Sequence, residues 1–431
     1  MTSASDRLEL SRLVHRFGFG PKPGQYAELL GRGIPAARAQ ILARRPHDPG
    51  LNALVTPPFP DMGPAPSDPT ASNAYWTEVY KQSISVAMWW MDRMVLADYP
   101  FEERMTWFWH GHWATSINKV SFARPMKIQN ETLRKHALGN FADMSRAMVQ
   151  DGALIYWLDG EENSVWSPNE NLGREFMELF TLGVGHYSQN DVHQAALAFT
   201  GYQVNQTSGA ATFLAKQHDY KPVSVLDKTK AFDARTLSDY IVSRPENATF
   251  IARRMWFRFI STSIEPPSSL AKVFENRDIS QLITTIAKSP AMRRPGVSQA
   301  KSPVEWFVSA CRALRITPST LPSSGDVAWM LDSMGQFPFN PPSVGGWPYD
   351  EAWLTAASSQ YRIDMTWYLL QHGHLEPLTS VAKGKMVEAA ADWLGVPQWS
   401  TRTERSLNQA LSDPVRFATL ALCSPEYLVS A

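Results

Sequence analysis

The sequence predicts a mainly α-helical fold: a single large helical domain with long proline-rich loops and at most a small β-hairpin. Three observations predict it. Apolar residues recur at helical spacing along nearly the whole chain, period-two alternation is scarce, and 431 residues with 44% hydrophobic content suffice to bury a sizeable core. No fixed-period repeat marks a solenoid, and no low-complexity tract interrupts the pattern.

Taken in order, residues 1–45 read as an N-terminal helical segment. Residues 46–73 read as a proline-rich surface loop, because Pro46 to Pro69 holds eight prolines among Gly, Asp and Ser. Tyr75 to Ala97 then runs without Pro or Gly and is rich in Met, Trp and Val. A further helix opens at Pro100, with Glu102 and Glu103 where the macrodipole favours acids. Leu133, Ala137, Phe141, Met144 and Met148 recur at steps of four and three, which predicts one buried stripe. Ala252 to Ile260 and Pro303 to Leu314 show the same spacing. The weak strand candidates, Ala211 to Ala215 and Val223 to Leu226, predict the small hairpin. Residues 74–317 thus form the expected main body, interrupted by a short loop at Glu265 to Ser269. Residues 318–431 form a C-terminal helical subdomain packed on it, entered through Pro318 to Ser324 and carrying the loop Phe337 to Tyr349.

Composition narrows the function. Forty-one basic residues balance 41 acidic ones, so no global field draws the chain to nucleic acid or an anionic membrane. Cys311 and Cys423 sit in separate apolar helical contexts without CxxC spacing, which argues against a disulfide scaffold and a thiolate zinc site. No stretch approaches the roughly 20 apolar residues of a membrane span. The start, Met1 to Asp6, lacks the charged and apolar regions of a signal peptide, so the chain reads as cytoplasmic or as a product whose leader is missing. Nucleotide-cradling glycine loops, HExxH and GxSxG are all absent, which sets aside the commonest phosphate-binding, zinc-protease and serine-hydrolase signatures.

What survives is a His and carboxylate inventory suited to metals held by oxygen and nitrogen. The densest polar segment runs from Leu158 to Gly183. Ser167 as N-cap, Pro168 at the first helical position and Glu170 three after the cap spell a capping box, and Gly183 closes the helix. Glu170, Arg174 and Glu178 at steps of four can form an ordinary charge ladder. Asn171, Glu175 and Glu178 also share a face among Phe176, Leu179 and Phe180, where a carboxylate is costly unless paired or bound to metal. Upstream, Arg104 to Trp113 carries His110 and His112 among aromatics, and helical geometry turns the two imidazoles about 200° apart. His136 shares a face with Asn140 and Asp143, spacing that lets a carboxylate orient an imidazole. His218 and Asp219 form a loop pair, while His372 and His374 read as a turn.

These same segments carry a family resemblance. The chain resembles the bacterial family DUF1800 through Arg12 to Gly20, Trp107 to Trp113, Glu131 to Phe141, Pro168 to Gly183, Asp191-Val192 and Ala198 to Tyr202. The resemblance continues through His218-Asp219, Lys301 to Pro303, Pro341 to Pro348 and Ser424 to Tyr427. The family pattern has His-Asn-His-Phe where this chain has His110 to Trp113. It has Asn-Tyr-Ala-Arg-Glu where Asn171 to Glu175 stand, so Gly173 weakens the helix by about 1 kcal/mol relative to Ala. Proteins of that family are commonly exported and are often encoded beside a sulfatase-like partner, DUF1501. The resemblance therefore implies an envelope or surface-polysaccharide setting.

Two functions follow. One is a metal-dependent enzyme of the bacterial envelope, with a divalent metal on His110, His112, Glu175, Glu178, His218 and Asp219. Glu175, Glu178, Arg174 and His136 then form the catalytic set. That reading expects Glu175 and Glu178 within about 8 Å of His112, across two helices packed face to face. The other is a non-catalytic glycan- or protein-binding assembly factor using the 16 tryptophans and the long loops. Scattered His and Glu side chains beside an open Trp-lined groove would decide for binding.

Overall fold

The computed structural model describes residues 3–430. The chain is 60% helical, with 23 α-helices among the described residues and two small antiparallel two-stranded sheets, a mainly α domain. The two predicted strand segments do not pair with each other. Tyr202–Asn205 pairs with Ala210–Phe213, and Val223–Val225 pairs with Lys228–Lys230. Each strand takes the partner nearest in sequence, joined by a short turn.

The long helix spans Pro69–Leu96, starting earlier than its apolar pattern shows because Asp68 caps it by accepting from Ala71 N–H and Pro69 fits the first turn. The helix Phe101–His112 forms as expected, with Glu102 and Glu103 in its first turn. The predicted stripe from Leu133 to Met148 is fully buried but divided between Ala123–His136 and Phe141–Met148, where Asn140 caps the second helix. The proline-rich loop is held at both ends. Asp48 accepts from the N–H groups of Gly50, Asp98 and Tyr99, and Tyr75 donates its hydroxyl to Gly63 O.

Two apolar cores lie either side of Phe101–His112. Phe101, Met105, Phe108 and Trp109 enter one, with the helices of residues 133–182 and 251–286. Trp107 enters the other, where the end of Pro69–Leu96 packs with Pro303–Leu314 and the C-terminal helices. Buried arginines tie distant segments of the chain together by capping carbonyls. Arg312 donates to Met94, Val95 and Ala97 O, the last turn of the long helix, and Arg16 donates to Ile260, Val297 and Ser430 O. Such caps satisfy carbonyls that a helix end leaves unpaired. Lys301 and Tyr427 meet in the same way, the ammonium donating to Tyr427 O while Tyr427 donates to Ser309 Oγ.

Candidate functional site

The polar segment before Gly183 folds differently from its capping grammar. Ser167 bridges Ser164 instead of capping, and the helix opens only at Asn171. The cause is Asn163, which is fully buried, donates to Ala196 O and accepts from Asn169 N–H, pinning the segment as a loop on the helix Gln189–Ala198. Asn171–Glu175 is α-helical, and Phe176–Thr181 continues as a six-residue π-helix. Gly183 closes it as expected, at φ +86° with its N–H on Met177 O. Gly173 has a packing reason: a Cβ there would meet Ala196 N at 3.2 Å and Val192 O at 3.3 Å, so the two helices cross closely.

A π-turn widens the backbone and leaves its terminal carbonyls free for other donors. Here three consecutive ones are met by side chains. Arg254 reaches Leu179 O at 3.2 Å, His112 Nε2 reaches Phe180 O at 2.9 Å, and Asn247 Nδ2 reaches Thr181 O at 2.9 Å. The two helices therefore do pack, but through imidazole and backbone. Burial, together with the charge of Arg254, pushes His112 well below its ordinary 6.5, so the ring is neutral and donates from Nε2, leaving buried Nδ1 without a partner.

The acids point elsewhere. Glu170 pairs with Arg174 at 3.1 Å, Gln189 binds both at 2.7 and 2.9 Å, and His193 approaches Glu170 at 3.3 Å. Glu178 takes the hydroxyl of Tyr187. Glu175 is raised from its ordinary value by partial burial and by the Glu178 charge, with Arg174 opposing. No histidine hydrogen-bonds Glu175 or Glu178.

His110 faces the opposite core among Trp90, Trp107, Phe339 and Trp347. Its Nε2 accepts from Phe339 N–H at 3.1 Å, so the proton sits on Nδ1, and burial pulls the ring down to about 3. His136 ends its own helix half-buried, while Asp143 belongs to the next helix and pairs with Arg146, so no continuous face joins them. His218 Nδ1 meets Thr200 O at 3.0 Å, and Asp219 accepts from Lys221 N–H. His110, His112, His218, Asp219 and Glu178 thus each serve a different local bond. Among the described residues, no group of three or more His, Cys, Asp or Glu converges as a metal would need.

What does converge is aromatic. An open groove of about 450 Å³ runs between the helix Pro69–Leu96 and the helix Ser324–Ser333. Trp76, Tyr80 and Trp329 stand in it 46%, 66% and 60% exposed. Asn118, Ser121, Asp332 and Asn340 supply polar edges, and Asn340 donates to Asp332 at 3.3 Å. Trp329 is held edge-on by Tyr361 at 5.3 Å, and Trp76 leans on Phe122. Two non-glycine residues near the groove sit at positive φ, Ser121 at 70° and Phe339 at 64°. Left-handed backbone at a bulky residue persists only where neighbours enforce it. At Phe339 the enforcers are His110, which accepts its N–H, and Ile117, whose N–H donates to its carbonyl at 2.8 Å. His110 therefore fixes the loop that presents Asn340 to the groove. Sequence reasoning missed Trp76, Tyr80 and Trp329. The available signal was Trp76 and Tyr80 one helical turn apart on the same helix.

A second cleft, of about 560 Å³, lies beside the π-helix between Gly183 and the helix Pro245–Phe259. Its charged groups are engaged, Arg253 by Glu265 and Arg254 by Leu179 O.

Comparisons with curated proteins and with solved structures gave no match. The family model for DUF1800, described as a protein of unknown function, matches residues 12–429. That span takes in the π-helix, both histidines of the His110-Gly-His112 tripeptide and every wall of the aromatic groove, and on it the chain belongs to the DUF1800 family.

Proposed function

We propose that this protein is a carbohydrate-binding protein that holds a polysaccharide chain in the groove between Pro69–Leu96 and Ser324–Ser333. The observation that carries it is the set of three large aromatic side chains exposed on one open groove, flanked by amide, hydroxyl and carboxylate groups. Aromatic faces keep their apolar body available to the C–H face of a sugar, while Asn118, Asp332 and Asn340 match its hydroxyls. Exposed apolar patches of this kind on a folded surface mark interaction sites. The dispersal of the His and carboxylate side chains supports binding over metal-dependent catalysis, because His110, His112 and Glu178 already hold other partners and no three ligand-type side chains converge among the described residues.

The test is titration of the protein with soluble bacterial and plant polysaccharides, followed by calorimetry and tryptophan fluorescence. Saturable binding with quenching of an exposed tryptophan is expected. Replacing Trp329 by Ala should weaken it about tenfold, the order of one stacked aromatic pair. Failure of every polysaccharide to bind, or undiminished binding by the Trp329→Ala and Trp76→Ala variants, overturns the proposal.

A further inference from the structure

The aromatic groove has a neighbour across Ile84. That residue also lines a neighbouring cavity of about 230 Å³, which continues along the same helix past Ser85, Met88 and Trp89 and is bounded across the way by Ser319 and Ser324. Tyr80 and Asp92 mark the two ends of this path, about 18 Å apart by helical rise. Val55 and Pro57 of the proline-rich loop form one of its edges. The path is therefore long enough for several sugar units.

Asp92 lines this cavity although it is only 3% exposed. Its Oδ1 accepts the N–H of Ser319 at 2.9 Å, and the Ser319 hydroxyl adds a second bond to the carboxylate. Burial pushes its carboxyl up to about 6, opposed only by Ser319, and no cationic side chain offsets its charge. Of the other buried carboxylates, Glu103 is matched by Arg93, Arg134 and Trp90, and Asp151 is held by neutral donors, Gln129 and the N–H of Leu154. Lys81, the one cationic residue of the cavity lining, lies exposed three helical turns away, towards the aromatic end. A buried carboxylate in a lined cavity, bonded only to Ser319 and without a counter-charge among the described residues, is complementary to a ligand cation.

We infer that the groove ends in an amine-recognising subsite, in which Asp92 receives the protonated amine of an amino sugar carried by the bound polysaccharide. The inference rests on the carbohydrate-binding reading and names its substrate class: a polymer with free, non-acetylated amino groups. Ser85, Ser319 and Ser324 supply hydroxyls for the adjoining ring positions, and Trp89 closes the floor.

The experiment compares glucosamine oligomers with fully N-acetylated oligomers of equal length, which share the backbone and lack the charge. Wild-type protein is expected to bind the free-amine oligomer about tenfold more tightly. Asp92→Asn should remove that preference, with circular dichroism and melting confirming the fold. Ser324→Lys, which brings a competing ammonium to the cavity without touching Asp92, should also remove it. Equal affinity for the two oligomers, preference for the acetylated one, no binding of either, or a preference that survives Asp92→Asn each overturns the amine subsite. The two proposals fail separately. If the amine preference is absent but Trp329→Ala still abolishes binding to some polysaccharide, the groove stands and the subsite falls; if no polysaccharide binds at all, the groove itself falls.

Discussion

The Nε2 of His112 lies 2.9 Å from the carbonyl oxygen of Phe180, so the most prominent histidine of the sequence serves as a cap for a π-helix. Replacing it by Phe keeps the aromatic packing with Trp109 and Phe141 but leaves that buried carbonyl unpaired. The expected loss is about 1–3 kcal/mol of unfolding free energy in a urea titration. Asn247→Leu should cost a similar amount through Thr181 O, and an unchanged midpoint in both would remove the capping role.

Acid should destabilise the fold through its buried histidines. His15, His110 and His112 are all held below their ordinary 6.5 chiefly by burial, His110 to about 3. Below about 6.5 the unfolded chain takes up protons that the folded chain refuses, so stability falls with pH by up to about 1.4 kcal/mol per unit for each ring. Asp92 and Asp151, raised to about 6 by burial, act in the opposite sense. Their contribution is full below the ordinary 3.8 and lost as pH rises to 6, so they partly offset the histidines on acidification. Denaturation at pH 7, 6 and 5 should show a net decline, shallower for His110→Phe and steeper for Asp151→Asn.

Glu103 anchors a buried ion network between the long helix and its neighbours. Arg134 binds it at 2.7 and 2.9 Å, Arg93 at 2.9 Å and Trp90 Nε1 at 3.0 Å. Burial alone would raise its carboxyl, but the two guanidinium charges overcome this and hold it at about 2. Its stabilisation is present above the ordinary 4.5 and lost as pH falls towards 2. Glu103→Gln should cost about 3–5 kcal/mol at pH 7, because buried Arg134 and half-buried Arg93 lose their counter-charge.

His110→Phe should weaken polysaccharide binding as well as change the acid response. The ring nitrogen holds Phe339 N–H, and without it the left-handed Phe339 relaxes and Asn340 leaves its place in the groove. Affinity measured by calorimetry is expected to fall about tenfold, with the Trp329 fluorescence shift on binding reduced in step. Unaltered affinity would separate the loop from the ligand.

Chelation should leave the protein unaltered. With no convergent set of three ligand-type side chains among the described residues, the melting temperature of tag-free protein should not move on treatment with EDTA or on adding Mn, Fe, Zn or Cu. A shift of several degrees with one of these ions would restore the metal-dependent reading of His110, His112 and the acids.

The fold was legible because helical periodicity is a local property: Pro303–Leu314 appears with the bounds its pattern gives, and Phe101–His112 opens directly after the Pro100 where its pattern begins. The 200° divergence of His110 and His112 was legible for the same reason. The capping box at Ser167 was not, because Asn163 outcompetes local grammar with bonds to a helix thirty positions onward. The π-helix was invisible too: its wide turn depends on donors from Arg254, His112 and Asn247, which belong to other helices. That turn shifts the facing of Glu178, which meets Tyr187 and not His112. The groove escaped because exposure of Trp76 and Trp329 is a tertiary fact, and a tryptophan's usual fate is burial.

The groove has one wall from the first quarter of the chain and the other from the last third. During synthesis Trp76 leaves the ribosome long before Trp329, and domains form from their N-terminal parts onward. The nascent protein therefore exposes half of an aromatic groove, sticky and without a mate, until the helix Ser324–Ser333 arrives. Cellular timing is the consequence: the groove is complete only once residues beyond 320 are in place, and a product cut short near residue 320 would offer a bare aromatic flank to chaperones and proteases.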